Sequence, residues 1–302
     1  MSRTYTQTME FIMKEVGRVK GVSLPVHASM LERAVRRHLP LRKLHPNPYD
    51  EFCNPEIGPN EGIVQRYAAA FRRMKENDAV SSVPLEPENR YMDPIYVQKI
   101  TPEGYMILNG HHRWLAAVQS GMNRMPVRIV NLTQQKDLER MIAHAKNDKR
   151  VTMDLDEVVF TPGPDGGKEK ALRFPLNRIY RQELRHGIPA LISFLEQKGY
   201  DVWLYSAGYY SQDYVEKLLK HHGVKVTGVI TGTARKGPKN AGTKEEAERL
   251  LRKTYQRTIH VDQNAILCVD HNGGTFSEIP LEEDGVWAAK IIDLVREGKA
   301  DG

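Results

Sequence analysis

The chain has 302 residues, enough for two ordinary domains of roughly 150 residues each. Its 40% hydrophobic and 27% charged composition is that of a globular protein, and no apolar run approaches the roughly 18 residues that span a bilayer, so no membrane partner is expected. With only Cys53 and Cys268 a disulfide framework is excluded, and without a secretory signal after Met1 the expected compartment is the cytoplasm.

The net charge of +6 is uneven. Residues 1–150 carry 23 Lys and Arg against 16 Asp and Glu, and residues 151–302 carry 21 against 22. A basic first half suits a polyanion such as nucleic acid or a nucleotide, or a plainly solvated surface.

In chain order, residues 9–40 read as helical, and "PLRKLHPNPYDEFCNPEIGPN", with five prolines, reads as a loop-rich excursion. Val64, Tyr67, Ala68, Phe71 and Met74 recur at spacings of three and four, which predicts a helix with a basic outer face at Arg72, Arg73 and Lys75. "DPIYVQKI", "GYMILNG" and "MPVRIVNL" read as strands, with a helix at 114–119 between the last two. The polar stretch 136–148 reads as a linker. Beyond it "RVTMDLDEVVF", "YDVWLYSAG", "KVTGVITGT" and "AILCVDHN" alternate with helical stretches at 183–198, 211–221 and 243–254, which predicts a parallel sheet flanked by helices. Ligands of such sheets bind at the carboxyl ends of the strands, where the sequence puts Asp154, Asp156, Ser206 and Asp270.

"NGHHRW" stands at a strand-to-helix corner. Metal binding needs at least three converging ligands, and no CxxC or HxxxH spacing supports His111 and His112. A phosphate cradle fits better: Gly110 allows close backbone approach, the amides of His111, His112 and Arg113 open a helix, and Arg113 adds a bidentate donor. Over roughly residues 40–132 the pattern resembles the ParB/sulfiredoxin-like superfamily, whose Gly-x-x-Arg corner contacts nucleotide phosphates. Gly-His-His-Arg is nearer to its sulfiredoxin and free-serine-kinase branches than to the chromosome-partitioning branch with Gly-Glu-Arg-Arg, which implies bound ATP or ADP. His111 stands where sulfiredoxins have Cys, so sulfinic-acid reduction is not implied. The kinase branch takes a base from the preceding loop, which offers Asp50, Glu51, Glu56 and Glu61; Glu51 is the choice.

In the second half, Asp154 and Asp156 in "MDLDEVVF" leave a strand end two residues apart. Together with Asp270 they would repel one another without a cation, and hard oxygen ligands suit magnesium. One aspartate could attack a phosphate monoester and the other protonate the leaving oxygen, with Ser206 and a lysine on the phosphoryl oxygens. These features resemble the haloacid dehalogenase (HAD) superfamily over nearly all of residues 148–298. The resemblance implies Asp154 as nucleophile, Asp156 as general acid/base, Ser206 in the second motif, and Asp154, Asp156 and Asp270 around Mg2+. The last motif departs from the usual double acid, with His271 after Asp270 and Asn272 as an auxiliary group. Lys236, Lys239, Lys244 and Lys253 all lie between the second and last motifs; Lys236, nearest to the "GVITGT" strand, is the choice for the motif lysine.

The expected fold class is therefore α/β: a helical extension (1–38), a small mixed ParB/sulfiredoxin-like domain (39–135), a linker (136–148) and a Rossmann-like HAD domain (149–302) with no room for a large cap. The expected function is a Mg2+-dependent phosphohydrolase, acting through a phospho-aspartate, fused to an ATP- or nucleotide-binding domain with kinase activity, and working on phosphates such as those at nucleic-acid ends. Two alternatives make the first domain a non-catalytic DNA- or nucleotide-binding module, or a nuclease.

Overall fold

Met9, Ile12 and Val16, spaced by three and four, line one face of helix α1 (Arg3–Gly17) and bury it in the core of the first unit. A computed structural model of the chain describes residues 3–78, 93–160, 167–235, 244–262, 265–270, 276–280 and 287–296. The chain divides into two units, Met1–Asn131 with Arg235–Lys239 and Leu132–Ala234 with Asn240–Gly302.

In the first unit the expected helix over 9–40 is not continuous. After α1 the chain turns at Gly21, with φ +75°, and Pro25 removes a donor that a helix would need. It forms β1 (Leu24–Pro25), α2 (Met30–Val35), capped by the Ser29 hydroxyl, and β2 (His38–Pro40). β3 (Leu44–His45) follows, then α3 (Glu61–Asp78), which buries Val64, Ala68 and Phe71 as the periodicity predicts. β4 (Ile95–Thr101), β5 (Tyr105–Asn109), α4 (His111–Gln119) and β6 (Arg124–Ile129) complete the unit. The sheet order is β2-β6-β4-β5-β3, with β1 also paired to β4, in mixed parallel and antiparallel register. Residues 3–17 thus contribute to the core and are not a detached arm.

In the second unit the stretch expected as a linker holds helix α5 (Gln135–Ala143), whose Leu138 and Met141 pack with Trp203, Ile230, Leu251 and Tyr255. Its charges made it read as linker, but an apolar pair three residues apart is enough to seat a short helix. Then come β7 (Lys149–Asp154), a single wide turn Leu155–Val159, α6 (Leu176–Ile179), α7 (Ile188–Gln197), β8 (Tyr200–Ser206), α8 (Gln212–His221), β9 (Gly228–Thr231), α9 (Lys244–Thr254), β10 (Arg257–Val261), β11 (Ala265–Asp270), β12 (Phe276–Pro280) and α10 (Trp287–Arg296).

The sheet order is β12-β11-β10-β7-β8-β9. β10, β7, β8 and β9 run parallel, as expected of strands joined by helices, whereas β11 and β12 are antiparallel. Only three residues join β10 to β11, too few for the crossover a parallel pair requires, so "AILCVD" runs the other way. The sheet core is a near-continuous apolar layer of Val151, Met153, Val202, Leu204, Val229 and Ile259, each burial contributing about 1.5–3 kcal/mol. Below the strand ends lies a polar exception. Arg150, wholly buried, donates to Thr258 Oγ1 (2.9 Å), Tyr205 Oη (3.0 Å) and Glu248 Oε2 (2.8 Å) and stacks on Tyr255, which satisfies its charge and ties α9 to β7. Among the described residues, no helix is long and apolar enough to cross a membrane.

Candidate functional sites

In the first unit the corner between β5 and α4 is built around Gly110, whose φ of +101° and ψ of 23° lie in the left-handed region. Both the angle and the packing demand glycine: a Cβ there would sit 2.4 Å from Ile95 Cγ2. The turn delivers His111, His112 and Arg113 as the first residues of a nine-residue helix, so their amides point out of its positive end.

The two histidine side chains serve a different purpose. His111 Nε2 accepts the Asn47 amide at 3.1 Å, and His112 Nε2 accepts the Asn60 amide at 3.0 Å. Each ring is therefore a neutral acceptor carrying its proton on Nδ1. Together they pin both ends of the 47–60 loop, and the Phe52 ring packs against both imidazoles at centroid distances of 5.2 Å. Burial holds His112 below its ordinary pKa, against the opposing pull of Asp50. The side chains fix the loop while the backbone of the same residues forms the cradle. Arg113 Nη1 donates to the Asp93 carbonyl ahead of β4.

Glu51, chosen from the sequence as a base, is exposed on the 3-10 turn Glu51–Cys53. The carboxylate whose charge reaches His112 is Asp50, which caps that turn by accepting the Phe52 amide at 3.0 Å. Proline spacing in the loop gave no means of telling the two apart.

In the second unit Asp154 ends β7 and caps the turn that follows: its Oδ1 accepts the amides of Asp156 at 2.7 Å and Glu157 at 2.8 Å. Ser206 ends the neighbouring strand β8, one register step from Asp154, which pairs with Tyr205. Wholly buried, it donates from Oγ to Asp156 Oδ2 at 2.6 Å and accepts the Gly208 amide at 2.8 Å. Tyr210 Oη donates to Asp156 Oδ1 at 2.7 Å. Asp154, Asp156 and Ser206, predicted as one group, are thus brought together.

Asp270 is not part of it. Its strand is antiparallel, and in the ladder Arg257 pairs with both Asp270 and Lys149, so Asp270 lies level with the start of β7 while Asp154 lies at its end. Five residues of strand separate them, roughly 16 Å at about 3.3 Å per residue. The position expected of it is taken by Asp262, the residue after β10, whose last residue Val261 pairs with Met153. Burial raises the Asp154 carboxyl above its ordinary pKa, the two amide bonds oppose the shift, and the charges of Asp156 and Asp262 add to it. Glu157 is also raised, by desolvation, by Asp154, Asp262 and Asp156, and by a hydrogen bond with Asp262. The signal for Asp262 was present in "RTIHVD", a β-branched run ending in Asp like "RVTMD", but the apolar "AILCVD" nearby drew the assignment.

Lys236, His271 and Asn272 lie outside the described residues. Among the described residues, no group of three or more His, Cys, Asp or Glu side chains is placed to hold a metal ion by itself.

Comparison with known proteins bears on the first of these sites. Residues 28–145 match the ParB N-terminal domain family. The ParB-type region starts after α1, includes the whole Gly110–Arg113 corner and ends just beyond α5, so Asp154 and its neighbours lie outside it. Two solved structures of the truncated chromosome-partitioning protein ParB from Caulobacter crescentus are also similar. The one complexed to the centromeric parS site is 21% identical, with 37% of this chain and 51% of that one covered and a TM-score of 0.23. The one complexed with CTP-gamma-S is 20% identical, with 36% and 59% covered and a TM-score of 0.21. This chain therefore spans between about half and three fifths of the length of those structures. No curated protein matches.

Proposed function

We propose that the second unit is a phosphomonoesterase of the HAD type and that the ParB-type region binds a nucleotide or another phosphate ligand at the α4 corner. The observation that carries the enzymatic reading is the 2.6 Å bond between Ser206 and Asp156, fifty residues apart, at the ends of adjacent parallel strands beside Asp154. A nucleophile, an acid/base and a phosphoryl-binding hydroxyl then share the carboxyl end of one pair of strands.

In this reading Asp154 attacks phosphorus through Oδ2, since Oδ1 is engaged by two amides that fix its direction. The ester P–O bond breaks, and the leaving oxygen takes a proton from Asp156. Asp156 then takes a proton from the water that attacks the phospho-aspartate, releasing inorganic phosphate and restoring Asp154. Ser206 Oγ–H, at the same strand end and steadied by the Gly208 amide that donates to its oxygen, offers a donor to the phosphoryl oxygens, and Lys236 is assigned to the same role.

The donor set fits Mg2+. Asp154 and Asp262 are hard anionic oxygens, the charge of Asp262 adding to the burial that raises the Asp154 carboxyl, and Mg2+ ordinarily takes one or two carboxylates and completes its shell with water and substrate phosphate. These two residues would hold the ion, which supplies neutralisation of the phosphoryl charge.

For the ParB-type region the supporting features are the left-handed glycine, three helix-opening amides and Arg113, together with the positive charge of the first half. Binding of the phosphate ligand, without transfer, is the reading we adopt for this corner.

Phosphate release is measured with Mg2+ across nucleotides, 3′- and 5′-phosphorylated oligonucleotides, phosphopeptides and small phosphoesters. Wild type should hydrolyse at least one class and Asp154→Asn should lose about a thousandfold or more. Wild type inert on the whole panel, or Asp154→Asn equal to it, sinks the reading. Arg113→Ala should weaken binding of labelled ATP, and unchanged binding would remove the α4 corner from consideration.

A further inference from the structure

We propose that Tyr210 is a positioning residue for Asp156, an inference that rests on the phosphatase reading of the second unit. Each oxygen of Asp156 receives a hydroxyl, Oδ2 from Ser206 at 2.6 Å and Oδ1 from Tyr210 at 2.7 Å. The two donors have different futures. Ser206 has a single proton to give, and the phosphatase mechanism assigns it to a phosphoryl oxygen; once substrate binds, that proton turns away from Asp156. Tyr210 then keeps the carboxylate aimed at the leaving oxygen.

The phenol is itself held. Its ring packs edge-on against Phe160, with centroids 5.5 Å apart and planes at 63°. Phe160 closes the turn that carries Asp156, its amide donating to the Leu155 carbonyl at 2.8 Å. Tyr210 is therefore tied to Asp156 by a hydrogen bond and, through its ring contact with Phe160, to the turn that carries Asp156. Gly208 keeps the connection short: a Cβ there would lie 3.0 Å from Tyr210 Cε2 and 3.1 Å from Ser206 Oγ, tighter than an ordinary contact.

The chemistry gives this role a signature. In the first step the P–O ester bond breaks, its electron pair stays on the leaving oxygen, and that oxygen takes the Asp156 proton while the phosphoryl group passes to Asp154. An alkoxide needs that proton, whereas p-nitrophenolate leaves as a stable anion with little help. Misdirecting Asp156 therefore penalises alkyl esters more than aryl esters, which a general loosening of the fold does not do.

The test measures phosphoenzyme formation by rapid quench in the full chain with Mg2+, using n-butyl phosphate and p-nitrophenyl phosphate. Tyr210→Phe, which keeps the ring against Phe160, should slow the alkyl ester by about tenfold more than the aryl ester. Phe160→Leu, which keeps the phenol but removes its ring support, should shift selectivity in the same direction by less. Equal slowing of both esters by both variants, or slowing of neither, overturns the role of Tyr210. A wild type inert toward these esters and toward the whole substrate panel overturns the phosphatase reading itself, a result distinct from an active wild type with unchanged ester selectivity.

Discussion

Replacing Gly110 by alanine tests whether the α4 corner is built as described. Two costs add. A non-glycine residue at φ +101° is strained by about 1–3 kcal/mol. The new Cβ also falls 2.4 Å from Ile95 Cγ2 and 3.0 Å from Ile95 Cβ, and Ile95 is fully buried in β4, so overpacking adds about 1–3 kcal/mol. The expected loss is about 3–4 kcal/mol, felt by the first unit, and it corresponds to a drop in Tm of roughly 10 °C for a unit of this size. Urea denaturation gives the total, and hydrogen exchange assigns it, because protection should fall in β4, β5 and α4. The phosphatase activity proposed for the second unit should persist under native conditions. A loss below about 0.5 kcal/mol would refute the reasoning, since it would mean that the turn accepts a side chain and the three amides are aimed elsewhere.

The histidine clamp predicts a pH dependence. Because burial keeps the folded His112 below 6.5, the unfolded state binds more protons, so the stability tied to this ring is complete above 6.5 and is lost as pH falls through the lowered folded value. The urea midpoint of the first unit should drop between about pH 7.5 and pH 5.5, and His112→Gln should flatten the slope; an identical slope in the variant would contradict the clamp. The two candidate third carboxylates separate cleanly. Asp262→Asn should raise the Mg2+ concentration for half-maximal phosphatase activity by at least about tenfold, and Asp270→Asn should change it by less than about twofold. The reverse order would restore Asp270 to the site and contradict the strand register.

The parts of this architecture that could be read from sequence are those fixed by local periodicity. The three- and four-residue spacing of Val64, Ala68 and Phe71 and the β-branched and aromatic run that opens "IYVQKI" each declare their element without help from distant residues. Asp154, Asp156 and Ser206 were also legible, because carboxyl ends of parallel strands converge whatever the loops do. Asp270 was misplaced because strand direction is a tertiary property: nothing within "AILCVD" distinguishes a parallel strand from an antiparallel one, and only the short connection after β10 decides it. The role of the histidine rings was hidden for a related reason. The sequence placed the amides of His111 and His112 in a cradle but gave their rings no task, because the partners of the rings, the amides of Asn47 and Asn60, are backbone groups 64 and 52 residues away in sequence and leave no side-chain signature. Helix α5 was hidden by its charged outer face, since seating it takes only Leu138 and Met141.

The central claim is that Asp154 becomes phosphorylated. Acid-quenching the full chain during turnover with a hydrolysed substrate and Mg2+, reducing the acyl phosphate with borohydride and mapping the product by mass spectrometry tests it directly. The account predicts homoserine at position 154 in wild type and none in Asp154→Asn. Steady turnover with no modified residue at 154, or with the label at another residue, would contradict it.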